Sequence, residues 1–141
     1  MTQSETSDTF EKESHFWDKT AAKYARSPVR NPEAYALTME RSISYLSPEH
    51  DVLEIGCGTG TTALIQAPNV RHITASDVSA NMIEIAKVKA RDQNIQNVTF
   101  VQAPAPGPQM TPETFDAVLA YNVLHLLKDL PAVLRAVHAA L

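Results

Sequence analysis

This chain has a single cysteine, no excess of basic charge and no long apolar run. Each of these shortages excludes a class of site or partner. Cys57 alone can form neither an internal disulfide nor a cysteine metal site, which is typical of a reducing compartment. The formal net charge of −4 offers no general basic surface for a nucleic-acid backbone. The longest apolar stretch, residues 117–127, is too short for a membrane span. We therefore expect a cytoplasmic protein with no metal and with neither nucleic-acid nor membrane partners.

Glycine is also scarce, yet three of the four glycines are close together. Gly56, Gly58 and Gly60 directly follow residues 52–55, whose composition predicts a buried strand. A residue without a Cβ takes positive φ readily and lets backbone N–H groups approach a bound molecule. The pattern therefore predicts a strand that ends in a ligand-binding turn.

The remainder of the chain alternates between helical and strand-like segments. Residues 1–14 are polar and predict a flexible tail, and residues 15–50 predict a helical lead-in that Pro28 interrupts. Strands are predicted at 52–55, 70–76, 98–102 and 115–121, and helices at 33–46, 59–67, 80–92 and 130–141. This alternation predicts an α/β core over residues 51–141, with a Rossmann-like parallel sheet and helices on both faces.

The predicted fourth strand is apolar on both faces, which is typical of a strand inside a parallel sheet. In a doubly wound sheet of order 3-2-1-4 it would instead be an edge strand. We therefore expect the C-terminal strands to be missing and the core to be incomplete. The preferred explanation is that the chain is a fragment of a longer protein. The alternative is that another chain, such as a second copy, pairs with the exposed fourth strand.

Three features lie at the carboxyl ends of predicted strands, where open parallel sheets bind ligands. The glycine turn follows the first strand, Asp77 ends the second, and Tyr121 with Asn122 ends the fourth. Asp77 lies about 20 residues after the glycines, the spacing at which a carboxylate binds the two hydroxyls of a ribose. The ligand is therefore expected to contain a nucleoside.

The glycine spacing also bears on which nucleoside is bound. A dinucleotide-binding turn has the pattern G-x-G-x-x-G, and Thr61 stands where its third glycine would be. Glu54, just before the turn, would repel a pyrophosphate but suits a ligand that carries an amino group. A nicotinamide-dependent oxidoreductase is therefore the weaker alternative.

Three segments carry a resemblance to a known family: VLEIGCGTG at 52–60, SDVSANM at 76–82, and FDAV at 115–118 with NVLH at 122–125. They resemble class I S-adenosylmethionine-dependent methyltransferases, in the branch related to small-molecule and quinone methyltransferases. The resemblance extends from about Phe16 to Leu141. It implies S-adenosyl-L-methionine as cofactor and a small-molecule methyl acceptor. The alternative is an S-adenosylmethionine-binding module, or non-catalytic fragment, without turnover.

The resemblance also assigns residues to the methionine part of the cofactor. It implies that Gly56, Gly58 and Gly60 lie beside this part, with Cys57 contributing its backbone. Glu54 would hold the amino group, directly or through water.

For the nucleoside part, the resemblance implies that Asp77 binds the ribose and that Val78 or Met82 flanks the adenine. Relatives commonly have an acid after the third strand that bonds the adenine amino group, and this chain has none there. Gln102 or backbone carbonyls are the expected substitutes.

The resemblance places three further residues near the acceptor. Tyr24 would lie over the pocket from the lead-in, and Asn122 and His125 would line the place where methyl donor and acceptor meet. His125 is the weak candidate for a catalytic base, and a histidine with no catalytic role is the simpler interpretation.

Overall fold

The computed structural model describes residues 3–26, 31–121 and 123–141, with side chains described from residue 10 to residue 23 of the first helix. The helices are α1 (Gln3–Arg26), α2 (Pro32–Ser44), α3 (Thr61–Gln66), α4 (Ala80–Asp92) and α5 (Leu130–Ala140). The strands are β1 (Asp51–Ile55), β2 (His72–Asp77), β3 (Val98–Gln102) and β4 (Ala117–Ala120). Short 3-10 turns lie at Ala67–Asn69 and Leu124–Leu126. Within these ranges, no helix has the length and apolar character needed to cross a membrane.

The four strands form one parallel sheet in the order β3-β2-β1-β4, which confirms the predicted fold class. The chain moves outward from β1 to β2 and β3, then returns to the other side of β1 for β4. The strand order thus reverses between β1 and β4, which is where open parallel sheets bind ligands. Among the described strands, β4 pairs with β1 alone. Self-association through its outer edge stays a prediction.

Alternation along β1 supplies apolar side chains to both faces of the sheet. Val52 belongs to the core beneath α3 and α4, whereas Leu53 and Ile55 belong to the core beneath α5. All three side chains are buried, and such burial stabilises the fold by about 1.5–3 kcal/mol per side chain. Helices therefore cover both faces, as predicted.

The same alternation places two carboxylates together. Glu54 pairs in register with Ala75, and Asp77 lies two residues further along β2. Residues two apart on a strand share a face, so Glu54 and Asp77 point to the same side of the sheet near its carboxyl edge.

Side-chain caps fix where three helices begin. Asn31, Ser79 and Asp129 each accept a hydrogen bond from the backbone N–H three residues later, at the starts of α2, α4 and α5. Such caps contribute about 1 kcal/mol each. The bounds of α4 and β3 match the sequence prediction, whereas the strands predicted at 70–76 and 115–121 differ by one or two residues at their ends.

The first helix departs from the sequence prediction. The polar composition predicts a flexible tail up to Ser14, but the structure is helical from Gln3 onward. The Ser14 side chain is buried and accepts a hydrogen bond from Gln102 Nε2 at 3.1 Å. The segment predicted as a tail is therefore helical from Gln3, and a contact distant in sequence holds its last residue, Ser14. The flexibility expected of residues 1–14 stays a prediction.

Gly60 lies where the glycine turn packs against α4, and it has a φ of 83°. A Cβ there would lie 2.9 Å from the Ala86 Cβ and 3.0 Å from the Phe100 ring. We expect Gly60→Ala to lower the free energy of unfolding by about 2–5 kcal/mol, since left-handed backbone and overpacking both oppose it. Urea denaturation measures the loss. The exposed Gln93→Ala serves as the control, and equal midpoints for the two variants would contradict this account.

Candidate functional site

A cleft of about 710 Å³ lies at the carboxyl edge of the sheet, where the strand order reverses. The turn after β1 and the ends of β2 and β4 form one side of it, and α1 and α2 contribute side chains to the other. Of the predicted site residues, the cleft is lined by Glu54, Gly56, Cys57, Gly58, Asp77, Val78, Met82 and His125.

The glycine turn is held in place by backbone hydrogen bonds to β2. The Cys57 N–H donates to the Ser76 carbonyl at 2.9 Å, and the Gly58 N–H donates to Asp77 Oδ2 at 2.9 Å. Gly56 and Gly58 have φ values of 70° and 55°, the left-handed region that favours glycine. Gly60 does not contribute to the described lining and instead precedes α3 as its cap residue.

Gly56 also permits a close approach of the segment that follows β4. A Cβ on Gly56 would lie 2.4 Å from Val123 Cγ2, well inside contact distance. Because this Cβ is absent, the segment after β4 packs directly against the turn. The ends of β1 and β4 therefore meet at Gly56.

The Glu54 carboxyl faces the cleft but is almost completely buried, with 2% of its surface exposed. Its Oε1 accepts no hydrogen bond from any described residue. Burial raises the pKa of Glu54 to about 8, and repulsion from the Asp77 carboxylate adds to this shift. A buried carboxylate without a partner is costly, and a cationic group in the cleft would supply that partner.

Asp77 is bound to the protein through both carboxylate oxygens. Oδ1 accepts from the Ser79 N–H at 3.0 Å, and Oδ2 accepts from Gly58. Burial raises the pKa of Asp77, the backbone hydrogen bonds oppose that shift, and Asp18 adds repulsion. Each carboxylate oxygen has a second lone pair, so Asp77 retains acceptor positions for ligand hydroxyls.

Asp18 of α1 binds the N-terminus of α4, a contact that the sequence did not predict. Asp18 Oδ1 accepts from Ser79 Oγ at 2.6 Å and from the Asn81 N–H at 3.0 Å, at the N-terminus of α4. Immediately before Asp18 on α1, Phe16 and Trp17 line the cleft and contact each other edge to face, with ring centroids 5.2 Å apart. No local pattern in the sequence links Asp18 to a helix that begins 62 residues later.

Gln102, the expected substitute for an adenine-binding acid, also holds α1. Its Nε2 donates to Ser14 Oγ at 3.1 Å and to the Val78 carbonyl at 3.0 Å. The Gln102 amide nitrogen therefore already donates two hydrogen bonds within the protein.

Helix α2 is joined to the cleft wall through hydroxyl groups. Tyr35 Oη and Thr62 Oγ1 are hydrogen bonded at 3.1 Å. Tyr121 Oη accepts from Gln66 Nε2 and donates to Ser42 Oγ, both at 2.7 Å. Tyr35, Thr62 and Tyr121 line the cleft, and of these the sequence indicated only Tyr121.

Of the remaining predicted residues, the structure describes the side chain of His125 but not those of Tyr24 and Asn122. His125 lies in the Leu124–Leu126 turn, exposed to solvent at the cleft. Tyr24 lies in α1, but its side chain is outside the described residues, and so is Asn122. Their predicted roles stay predictions.

Comparison with known proteins identifies the family. A family described as "Methyltransferase domain" matches residues 52–141, which is well over half of the chain. The chain belongs to this methyltransferase domain family. The match begins within β1 and includes the glycine turn, both carboxylates and α5.

Relatives of this methyltransferase domain include YcgJ of Bacillus subtilis, an uncharacterised methyltransferase that is 33% identical over 63% of this chain and 35% of its own length. The crystal structure of YcgJ has a TM-score of 0.71, with 29% identity over 75% of this chain and 46% of that one. A malonyl-[acyl-carrier protein] O-methyltransferase of Bacillus anthracis is 33% identical over 80% of this chain and 41% of its length. A demethylmenaquinone methyltransferase of Clavibacter sepedonicus is 27% identical over 86% and 52%. The chain thus spans between a third and about half of the length of these relatives.

The Asp18 cap generates a prediction about α1. We expect Asp18→Ala to lower the free energy of unfolding by about 1–2 kcal/mol, because two hydrogen bonds at the N-terminus of α4 are lost. The emission of Trp17, the one tryptophan in the chain, should shift to the red as α1 loosens. Lys19→Ala, an exposed change one residue away, is the control. Indistinguishable spectra and midpoints for the two variants would refute the fastening role of Asp18.

The buried Glu54 carboxyl predicts a pH dependence of stability. The carboxyl ionises at a pKa near 4.5 when unfolded and at about 8 when folded, so the folded state binds more protons between these values. Stability therefore falls as pH rises through this window, by up to about 1.4 kcal/mol per pH unit from this group. Glu54→Gln should remove that slope and make the ligand-free protein more stable than the wild type at pH 8.

Thermal unfolding between pH 6 and pH 8.5 measures this slope for the two proteins. This range lies below the ordinary pKa of Cys57, whose pKa burial raises further, so the thiol stays protonated in the folded protein. Glu40→Gln on the exposed surface of α2 should retain the wild-type slope. A wild-type slope in Glu54→Gln would show that another group titrates.

Proposed function

We propose that this chain forms the S-adenosyl-L-methionine-binding part of a methyltransferase that acts on a small molecule. The observation that carries the proposal is the Glu54 carboxyl, which is buried at the cleft with Oε1 unpartnered among the described residues. Membership of the methyltransferase domain family supports the reaction class. The buried carboxyl supports a ligand with a cationic amino group, because such a group would remove the cost of this charge.

The residues of the cleft fit the parts of this cofactor. Glu54 would accept hydrogen bonds from the ammonium group, beside the backbone of Gly56 and Gly58. Asp77 has acceptor positions left for the two ribose hydroxyls, and Val78 and Met82 offer apolar surface to the adenine. When bound, the cofactor supplies a methyl group on a positively charged sulfur, which is already electrophilic.

The chain's own contribution to transfer is then mainly to align the acceptor with that methyl group. We include His125 as a residue that contacts the acceptor, since it lies at the exposed part of the cleft. The resemblance supports the same role for Asn122, and it supports Tyr24 as a residue that covers the cofactor. This chemistry does not require a general base, so His125 is proposed as a residue that contacts the acceptor and not as a catalytic base.

The names of the relatives include acceptors of different chemistry, a malonyl group on acyl-carrier protein and a demethylmenaquinone. Other relatives are named as 23S rRNA and tRNA/tmRNA uracil methyltransferases, so the names alone do not decide the acceptor. The net charge of −4 supports a small molecule in preference to a nucleic acid. A cytoplasmic location is part of the proposal and rests on the single cysteine.

Calorimetric titration with S-adenosylhomocysteine tests the cofactor assignment. We expect binding by the wild type and affinity weakened about 5- to 150-fold in Asp77→Ala, which corresponds to about 1–3 kcal/mol for charge-assisted hydrogen bonds. Asp92→Ala, which removes an exposed carboxylate at the far end of α4, should bind normally. Folded protein that binds NADH but not S-adenosylhomocysteine would replace the proposal with the oxidoreductase alternative.

Turnover is tested separately from binding. Release of S-adenosylhomocysteine from S-adenosylmethionine in the presence of a hydroxyaromatic acceptor set would support the enzyme. Binding without any product across the set would favour the alternative of a binding module.

A further inference from the structure

We propose that the acceptor part of the cleft selects an uncharged, flat and largely apolar molecule and disfavours one that carries a carboxylate or phosphate. This inference rests on the proposed function, because it assigns the Glu54 and Asp77 side of the cleft to the cofactor. It concerns the remaining surface, which comes from α1, α2 and the segment after β4.

That remaining surface is dominated by rings and aliphatic side chains. Phe16 and Trp17 contribute from α1, Tyr35 from α2, and Tyr121 and Leu126 from the end of β4 and the turn after it. Phe16 is 59% exposed and Leu126 is 47% exposed, so apolar surface continues to the mouth of the cleft. Such surface gains most from contact with an apolar ring, which can pack against the aromatic side chains face to face or edge to face.

The charges at the cleft are unfavourable for an anion. Among the described residues, the acidic side chains that line it are Glu13, Glu54 and Asp77, and none of the lining residues is a lysine or an arginine. Lys128 Nζ lies 3.9 Å from Glu13 Oε1, so these two charges partly offset each other at the edge of the cleft. With Glu54 and Asp77 assigned to the cofactor, Glu13 is the acidic side chain left among the described lining residues, and no lining lysine or arginine would attract an anionic acceptor.

Several hydrogen-bond donors of the wall are already used within the protein. A carboxylate or phosphate is bound tightly when several donors converge on it. Here Tyr121 Oη donates to Ser42, and Ser76 Oγ donates to the Glu54 carbonyl at 3.2 Å. The Tyr35 hydroxyl is hydrogen bonded to Thr62. An anion would lose its hydration and find few donors left among these hydroxyl groups, whereas a neutral ring loses little.

A matched pair of probes tests this selection. 2-Naphthol and 6-hydroxy-2-naphthoate share a ring system and a hydroxyl, and only the second carries a charge at pH 7.5. Equilibrium dialysis of each probe against the protein saturated with S-adenosylhomocysteine gives their affinities. We expect 2-naphthol to bind at least tenfold more tightly and Trp17→Ala to weaken its binding.

Glu13→Gln tests the electrostatic part of the inference. It removes one negative charge from the cleft and leaves Lys128 without that partner, so the affinity for the naphthoate should rise while that for naphthol stays unchanged. Glu11→Gln, an exposed position on the same helix that does not contribute to the described lining, should leave both affinities as in the wild type.

Equal or tighter binding of the naphthoate would overturn the inference, and so would the failure of both probes to bind protein that holds S-adenosylhomocysteine. A naphthoate affinity unchanged by Glu13→Gln would overturn the role of Glu13. Failure of S-adenosylhomocysteine itself to bind would count against the proposed function instead, and the two results are therefore distinguishable.

Discussion

The carboxylate of Asp77 joins the two turns on which the whole site depends. One oxygen accepts from the Gly58 N–H in the turn after β1, and the other accepts from the Ser79 N–H at the start of α4. Ser79 in turn caps α4 and donates to Asp18 on α1. A single side chain at the end of β2 thus fixes the glycine turn, the start of a helix and, through that helix, the segment that covers the cleft.

This arrangement concentrates negative charge where the protein offers little to balance it. Burial is the main reason that the pKa values of Glu54 and Asp77 are raised, and repulsion adds to it, from Asp77 on Glu54 and from Asp18 on Asp77. A stable fold could avoid this with an apolar residue at position 54. The retained acid is therefore better explained by a bound ligand than by stability, in line with the general conflict between stability and function at binding sites.

The parts of the molecule that the sequence predicted are those governed by neighbours along the chain. Ser79 as a cap, α4 and β3 follow from local patterns, and the glycine turn with Asp77 follows from spacing along two adjacent strands. The parts it did not predict depend on partners far away in sequence. From the sequence alone, Asp18 is an ordinary polar residue of a helix. Its role depends on Ser79, which the fold places within hydrogen-bond distance of it.

The same limit applies to the cleft wall and to the start of α1. Tyr35 gives no sign of a site role before α2 packs against α3, where it meets Thr62. Ser14 belongs to a polar stretch with low intrinsic order, and only its contact with Gln102 explains its burial. Tertiary contacts of this kind override composition, and no window of local sequence contains them.

The two sides of the cleft come from separate stretches of the chain. The side with the carboxylates lies within residues 52–141, the part that matches the family, whereas α1 and α2 precede it. The α1 connection to the core relies on a few polar contacts at the N-terminus of α4 and the end of β3, which a different lead-in could reproduce. A domain built in this way can diversify by recombination, exchanging its lead-in to change the molecules it accepts while inheriting the other side of the cleft intact.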